Sequence, residues 1–243
     1  MLGDGAARLA RAVLLASASG LYTAQMREHD AEHLAQAIRS EFPKIESPDG
    51  FIWTASPPVR VADCVLSLNR HYERTVLPRI ERFASRCPDV RTCAALRGMI
   101  DSHPTPATFL RQEFDLNDAR RAETLSGVVD FVIDVAQRFD GASEEDRLRK
   151  WAAWSRPGDY LAVGVRGFGL AGFQYLRMLF GSETAKPDVH VINFVSEHIG
   201  RKVSDVEALY TMERAAILAH VSLHGLDVAV WNRAIRGRGP VVT

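Results

Sequence analysis

Apolar residues recur along most of the chain at intervals of three and four positions, which is the spacing of one face of an α-helix. Val61, Val65 and Leu68 have this spacing, and so do Val128 and Val132. Segments in which apolar and polar residues alternate, as they do in a strand with one buried face, are scarce. The pattern predicts an all-α fold of about ten amphipathic helices.

Residues that favour helix N-termini occur at places that agree with this pattern. Thr105 stands directly before Pro106, an arrangement that suits a capping side chain followed by a proline in the first turn. Ser143 and Ser204 are each followed, three positions later, by an acidic residue, as in a capping box. We therefore expect helices to begin at these places.

Two interruptions of the helical pattern indicate connectors. Prolines, a glycine and serines cluster between Phe42 and Pro58, and Asp140-Gly141 lies in a second, shorter linker. Residues 1–20 are predicted to form an amphipathic helix rather than a signal peptide, because their apolar run is short. The expected division is N-terminal helices with a connector in 1–58, a helical lobe in 59–140, and the segment that carries the chemistry in 141–243.

The composition is that of a globular protein without net charge. Of the 243 residues 47% are hydrophobic, and 30 Lys and Arg residues balance 30 Asp and Glu residues. A neutral chain lacks the broad positive field of many nucleic-acid-binding proteins, so any contact with DNA has to be local. The neighbours Arg120 and Arg121 are expected to lie on a solvated face. No stretch reaches the ~20 apolar residues that a membrane span needs, so we expect no membrane partner.

The three cysteines, Cys64, Cys87 and Cys93, indicate neither a disulfide framework nor a metal site. An odd number cannot pair completely within one chain, and no nearby histidines complete a tetrahedral set of ligands. We expect reduced thiols, no bound metal, and a cytoplasmic protein that associates with the nucleoid if it is bacterial.

The segment VRGFG, residues 165–169, precedes a predicted helix that begins at Leu170. Its glycines, Gly167 and Gly169, allow a hairpin that is too tight for side chains, and they leave the first amides of the next helix uncovered. Such amides, together with the helix dipole, can hold a phosphate without a lysine. The same glycines are also typical of a plain turn at a helix end, so the segment alone leaves both interpretations open.

Asp188 follows Gly169 by nineteen positions and stands directly before an apolar, helical segment. Breaking the bond between a base and deoxyribose develops positive charge on the sugar. A fixed carboxylate can stabilise that charge, and it can orient or deprotonate water. The alternative is that Asp188 only caps the helix that follows, since aspartate is a favoured capping residue.

Together, the glycine hairpin and the Asp188-x-His190 run resemble the helix-hairpin-helix DNA glycosylases, the superfamily of endonuclease III, adenine glycosylase and 8-oxoguanine glycosylase. The resemblance implies an all-α, two-lobe fold with the active site in the cleft between the lobes. It implies that Asp188 is the catalytic carboxylate and that His190 lies close to the DNA backbone. Gly167, Gly169 and Leu170 would form the hairpin that binds that backbone.

Two further segments resemble the same family, in its chain order. Leu-Ser-Leu-Asn at 66–69 is similar to the family segment whose amide side chain fills the gap left by an extruded nucleotide, which makes Asn69 the wedge candidate. Leu-His-Gly at 223–225 is similar to a motif near the end of the endonuclease III branch. The resemblance implies a partner, double-stranded DNA, and we expect a monomer to bind it.

The chain departs from that family at two places. Members that also cleave the strand carry a lysine two residues after the second hairpin glycine, where this chain has Ala171. The endonuclease III branch holds an iron-sulfur cluster with four cysteines after its Leu-His-Gly motif, but residues 226–243 contain no cysteine. The resemblance therefore implies a monofunctional enzyme that uses water, needs no cofactor and leaves an abasic site.

Small residues beside the hairpin bear on which base would be excised. Ala171 and Gly172 stand where relatives place a larger group at the pocket mouth, which indicates room for a bulky base. Trp53 and Tyr72 are candidates for lining that pocket, because flipped bases are read by stacking and by hydrogen bonds to their edges. An alkylated purine or a hypermodified phage cytosine would fit, and the latter implies a role in antiviral defence.

Two other functions fit the same sequence. A non-catalytic relative would keep the hairpin and recognise bent or damaged DNA, with Asp188 retained as a cap alone. A helical interaction protein without a DNA partner would suit the neutral net charge. Salt separates these functions, since binding through phosphates weakens as salt rises, whereas a protein scaffold has no DNA affinity to lose.

Overall fold

The computed structural model describes residues 26–45 and 50–236, and every regular element within these ranges is helical. No strand occurs in them, which confirms the predicted all-α fold. The amphipathic helix predicted for residues 1–20 lies outside the described residues.

The chain folds into two compact units. The central unit runs from Glu46 to Asp188, and the terminal unit combines the chain up to Ile45 with the chain from Val189 onward. The sequence division into 1–58, 59–140 and 141–243 followed chain order, whereas the units are defined by contacts. Residues 141–188 therefore belong to the same unit as 59–140.

The helices of the two units have the following bounds. The terminal unit contains α1, α10, α11 and α12, and the central unit contains the others. In chain order they are α1 (26–41), α2 (Phe51–Thr54), α3 (Pro57–Leu66), α4 (Leu77–Arg86), α5 (Cys93–Asp101), α6 (Pro106–Phe114), α7 (Ala119–Gln137), α8 (Glu144–Trp154), α9 (Leu170–Leu179), α10 (Val189–Ile199), α11 (Asp205–Ala219) and α12 (Leu223–Arg236).

The long helix α7 organises the central unit. It packs against α3, α5, α6 and α8, and its apolar face, which includes Leu125, Val128 and Val132, is fully buried. Helix α3 is buried along its whole length, charged residues Arg60 and Asp63 included. A helix that is buried on all sides needs a partner for every charge that it carries, and these two residues obtain theirs from other helices.

Side chains cap helices at the predicted places. Thr105 Oγ1 accepts a 3.1 Å hydrogen bond from the amide of Thr108 at the start of α6. The hydroxyls of Ser143 and Ser204 accept equivalent bonds at the starts of α8 and α11. The three predicted N-termini are confirmed, because each depends on a contact that spans only three residues.

The connector predicted between Phe42 and Pro58 contains more helix than the sequence indicated. Helix α2 forms inside it, and α3 begins at Pro57. Proline is tolerated in the first turn of a helix, since the amide that it lacks would have no helical partner there. The two consecutive prolines therefore start α3 instead of separating it from the connector.

In the terminal unit, α10 packs against α11 and α12. Ion pairs attach α1 to the same unit: Glu28 pairs with Arg214 at 2.7 Å, and Asp30 pairs with Arg201 at 2.6 Å. These pairs are partly exposed, so they contribute little stability. Burial of apolar side chains such as Leu34 supplies most of it.

Candidate functional site

The glycine hairpin lies between a 3₁₀-helical turn (Pro157–Ala162) and the start of α9. Gly167 has a φ of +85°, and a Cβ atom there would stand 3.1 Å from Thr124 Oγ1, so a side chain would be both strained and crowded. Gly169 is the N-cap of α9 and offers no side chain to its first amides. Both glycines are exposed. The hairpin thus presents main-chain donors at a helix N-terminus, an arrangement that binds phosphate.

Two side chains on α7 fix the hairpin and the turn that carries Asn69. The Thr124 hydroxyl donates to the Arg166 carbonyl, inside the hairpin, at 2.9 Å. The Arg121 guanidinium donates to three carbonyls at the end of α3: those of Val65, Leu66 and Leu68, at 2.6, 3.1 and 2.8 Å. The prediction that Arg121 lies on a solvated face is wrong, since its side chain is 12% exposed. One rigid helix therefore sets the spacing between the hairpin and the Asn69 turn.

Asn69 lies at the exposed tip of the turn that follows α3. Its φ is +53°, in the left-handed region that asparagine adopts more readily than most residues. The neighbouring Leu68 packs on α9, because its Cδ2 atom would stand 3.2 Å from a Cβ placed on Gly172. Arg121 and this packing hold the turn from two sides.

Asp188 stands directly before Val189, the first residue of α10, at the position of a helix N-cap. Its side chain is 25% exposed, and the Lys186 ammonium lies 4.0 Å from its Oδ2 atom. The Asp188 amide donates to the Lys186 carbonyl at 2.7 Å, which closes a tight turn around Pro187. The carboxylate is therefore held by a stiff turn, lies close to a cation and is accessible to solvent.

Lys186 connects Asp188 to a buried tyrosine. Its Nζ atom lies 4.3 Å from the centre of the Tyr175 ring, within the range of a cation–π interaction. The Tyr175 hydroxyl donates a 2.7 Å hydrogen bond to Oδ2 of Asp63, in the middle of α3. A continuous chain of contacts, which we call the carboxylate relay, joins Asp188 through Lys186 and Tyr175 to Asp63.

The buried end of the carboxylate relay has shifted acidities. Burial raises the pKa of Asp63 from 3.8 to about 6, and the hydroxyls of Tyr175 and Tyr72 and the charge of Lys186 offset only part of that rise. Burial also raises the pKa of Tyr72, of Tyr175 and of the Cys64 thiol. The tyrosines and the thiol therefore stay protonated at neutral pH, while Asp63 is largely ionised.

Asp63→Asn should change how the stability of the protein depends on pH. Asp63 has a higher pKa when folded (about 6) than when unfolded (3.8), so the wild type loses stability as pH rises from about 4 to about 6, by about 3 kcal/mol in total. The amide of the variant still accepts a hydrogen bond from Tyr175 but does not titrate. Urea denaturation should therefore favour the variant by roughly 2 to 3 kcal/mol more at about pH 7.5 than at about pH 4. A difference between the two proteins that is constant with pH would contradict this assignment.

The other predicted site residues lie in varied surroundings. Leu170 is buried in the first turn of α9, so its side chain is not available to a ligand. Ala171 beside it is half-buried. Trp53 packs against the central core from α2. Tyr72 lies on a π-helical turn after α3, and its hydroxyl lowers the pKa of Asp63. His190 lies in the first turn of α10, in the terminal unit.

Gly172 does not border open space. A Cβ atom there would stand 2.9 Å from the Phe168 ring and 3.2 Å from Leu68. The glycine therefore allows the hairpin, α9 and the Asn69 turn to pack closely, and it gives no support to a roomy pocket. The expectation of room for a bulky base depends on Ala171 alone.

Sequence reasoning missed Asp63, Tyr175 and Lys186. A signal for Asp63 was present, since an acidic residue within an apolar helical run has to find a buried partner. Lys186 also had a signal, because it is one of only four lysines in a chain with 26 arginines and stands two positions before Asp188. Tyr175 had none, since its partners come from α3 and from the segment after α9.

Neither a metal site nor a membrane span is found in the described part of the chain. No group of three or more His, Cys, Asp and Glu side chains there is placed to hold a metal ion. Cys64, Cys87 and Cys93 are free thiols. None of the helices within 26–45 and 50–236 is long and apolar enough to cross a membrane.

Comparison with known proteins identifies the family of the chain and nothing more specific. No curated protein and no solved structure matches it. Residues 32–234, which include the whole central unit and part of the terminal unit, match the model of a domain of unknown function, DUF8548, and the chain belongs to this family.

Proposed function

We propose that the chain is a monofunctional DNA glycosylase, which flips a damaged or modified base out of duplex DNA and hydrolyses the bond between that base and its deoxyribose. The observation that carries the proposal is that α7 anchors both the uncapped glycine hairpin and the Asn69 turn, in the unit that ends at Asp188. The reaction needs these three parts: a phosphate grip, a wedge and a carboxylate.

The hairpin would bind the DNA backbone beside the extruded nucleotide. The first amides of α9 and its dipole attract a phosphate, which answers the objection that the chain has no net positive charge. Flipping a base costs a few kcal/mol of lost stacking and pairing. Backbone contacts and insertion of Asn69 into the vacated space would offset that cost.

Asp188 would act through its negative charge. As the bond to the base breaks, positive charge develops at the anomeric carbon, and a carboxylate fixed on a stiff turn stabilises it. The bond to the base breaks with its electron pair on the base, which takes up a proton, while water attacks the anomeric carbon and loses one. The products are a free base and an abasic site. Ala171 provides no amine at the position where strand-cleaving members of the resembled family have one, so the proposal includes no strand cleavage through an imine.

A panel of duplexes tests the proposal. Each duplex carries one altered base: an alkylated purine, a uracil, a mismatched thymine, or a hydroxymethylated or glucosylated cytosine. After incubation with the protein, alkali converts every abasic site into a strand break. Breaks made by the wild type and not by Asp188→Asn would support the proposal and identify the base. Binding without breaks on any duplex would favour the second candidate.

That second candidate is a non-catalytic protein that recognises bent or damaged duplex DNA. The observation that favours it is that Asp188 stands at an N-cap position, where capping alone would account for an aspartate. In this case the hairpin would still bind phosphate, and DNA binding would still weaken as salt rises.

Gly169→Asp should separate DNA binding from stability. A Cβ atom at Gly169 meets nothing within 4 Å, and the residue already has the extended conformation of an N-cap. An aspartate there would cap α9 and stabilise the protein by roughly 0.5 kcal/mol, while its charge repels the phosphate. We expect the dissociation constant for duplex DNA to rise at least about tenfold and the melting temperature to stay or increase.

Gly169→Ala is the matched control for this change, because it adds a Cβ without a charge or a cap. Its DNA affinity should stay close to that of the wild type. If Gly169→Asp binds DNA as tightly as Gly169→Ala does, the hairpin amides do not hold a phosphate.

A further inference from the structure

Lys186 places a positive charge beside the carboxylate that the proposed reaction uses. Its Nζ atom is 4.0 Å from Oδ2 of Asp188, close enough to oppose positive charge on a sugar held at the same carboxylate. A site made of Asp188 and Lys186 alone would have no net charge, and it would stabilise a sugar cation poorly.

We propose that Asp63 is the counter-charge of Lys186 and that, through Tyr175, it acts as a positioning residue that keeps the Asp188 site anionic. The inference rests on the proposed function, since it concerns how that same carboxylate works. Asp63 does not touch the substrate in this scheme, and its effect passes through the carboxylate relay.

The Lys186 ammonium contacts the Tyr175 ring and also lies near Asp188. A hydrogen-bonded ion pair is about 2.7 to 2.9 Å long, as in the 2.7 Å pair between Arg60 and Glu145. The distance between Lys186 Nζ and Asp188 Oδ2 is longer, at 4.0 Å. The ammonium instead lies over the Tyr175 ring, and a hydroxyl that donates to a carboxylate makes the ring more electron-rich, which strengthens its attraction for a cation.

Asp63 is placed to neutralise Lys186. It is fully buried, and the groups that face it are Tyr175 on α9, Tyr72 on the π-helical turn, Cys64 on α3 and Lys186 on the segment after α9. Among these groups Lys186 is the cation, and its charge lowers the pKa of Asp63. Because the pKa of Asp63 is about 6, the site should carry one net negative charge above that pH and none below it.

Single-turnover base release, on the base identified by the duplex panel, tests the proposal. At about pH 7.5, Asp63→Asn should lower the rate roughly 10- to 50-fold and leave the dissociation constant for DNA within about twofold. Tyr175→Phe, which keeps the ring and the carboxylate but breaks their hydrogen bond, should lower the rate by a smaller factor. The wild-type rate should fall as pH drops through about 6, and this step should be missing in Asp63→Asn.

A second substitution shows whether Asp63→Asn lowers the rate by changing the charge of the site or by disturbing the fold. Removing the cation as well, in the double variant Asp63→Asn with Lys186→Gln, restores one net negative charge and should recover most of the lost rate. If Asp63 had only a structural role, the second change would add damage or leave the rate unaltered. A double variant no faster than Asp63→Asn therefore overturns the proposal.

A readout without activity keeps this test separate from the test of the glycosylase itself. Reductive methylation with ¹³C-formaldehyde labels the four lysines and keeps their charge. The Lys186 methyl signal, assigned with Lys186→Arg, should move with a midpoint near pH 6 in the wild type and should not do so in Asp63→Asn. If this signal behaves so but no base is released from any duplex, the proposed function fails and the pairing of Asp63 with Lys186 stands. If the Lys186 methyl signal shows the same pH dependence in the wild type and in Asp63→Asn, the pairing is overturned, whatever the activity.

Discussion

Asp188→Asn is expected to lower the rate of base release by at least about 10³-fold while leaving DNA affinity nearly unchanged. Asparagine has the shape of aspartate and is an equally good helix cap, so the turn around Pro187 and the start of α10 should be preserved. What the substitution removes is the negative charge, which the proposed reaction needs as the sugar becomes cationic. The measurement is single-turnover release of the base, together with the dissociation constant of the same duplex.

Two matched variants separate chemistry from capping at this position. Asp188→Ala removes the cap as well as the charge, so it should match Asp188→Asn in activity but lose roughly 1 kcal/mol more stability. Asp205→Asn neutralises an exposed acidic residue in the first turn of α11, and it should leave base release unchanged. If Asp188→Asn releases the base at the wild-type rate, Asp188 is a cap only, and the non-catalytic candidate is favoured.

The helical fold could be predicted because its signals are local. Thr105, Ser143 and Ser204 cap helices through contacts that span three residues, so sequence spacing is enough to find them. The helical period of apolar residues is equally local, and it identified α3 and α7 correctly. The connector before α3 was harder, since prolines that interrupt a pattern can also begin a helix.

The candidate site could be predicted only in part, because several of its contacts join distant segments. The hairpin glycines and Asp188 were predicted as candidates from their spacing. The hydrogen bond between Tyr175 and Asp63 joins residues 112 positions apart, and a periodic pattern in the sequence cannot predict such a pair. Arg121 shows the same limit, since its neighbour Arg120 and its charge suggested a solvated face. Only the fold shows that its guanidinium binds the carbonyls at the end of α3.

The second large effect that we expect is a loss of stability when the buried Arg60 of the central unit is replaced. Arg60→Met should lower the free energy of unfolding by about 3 to 5 kcal/mol. The Arg60 side chain is 6% exposed and pairs with Glu145 at 2.7 Å. It also donates to the carbonyls of Ala55 and Leu179, at 2.6 and 2.8 Å, at the C-terminal ends of α2 and α9. Methionine fills similar space but leaves these acceptors without a donor, which is costly in a buried setting.

Urea denaturation of Arg60→Met beside Arg138→Met measures this effect against a matched control. Arg138, which directly follows α7, is 67% exposed and pairs with Asp134 in the last turn of that helix, so its loss should cost less than about 1 kcal/mol. The fraction of Arg60→Met that remains folded should still bind DNA, because Thr124 on α7 anchors the hairpin at the opposite end of α9. If both variants lost a similar amount of unfolding free energy, the hydrogen bonds and ion pair of Arg60 would only balance the cost of burying its charge. Loss of DNA affinity in folded Arg60→Met would mean that the hairpin depends on both ends of α9.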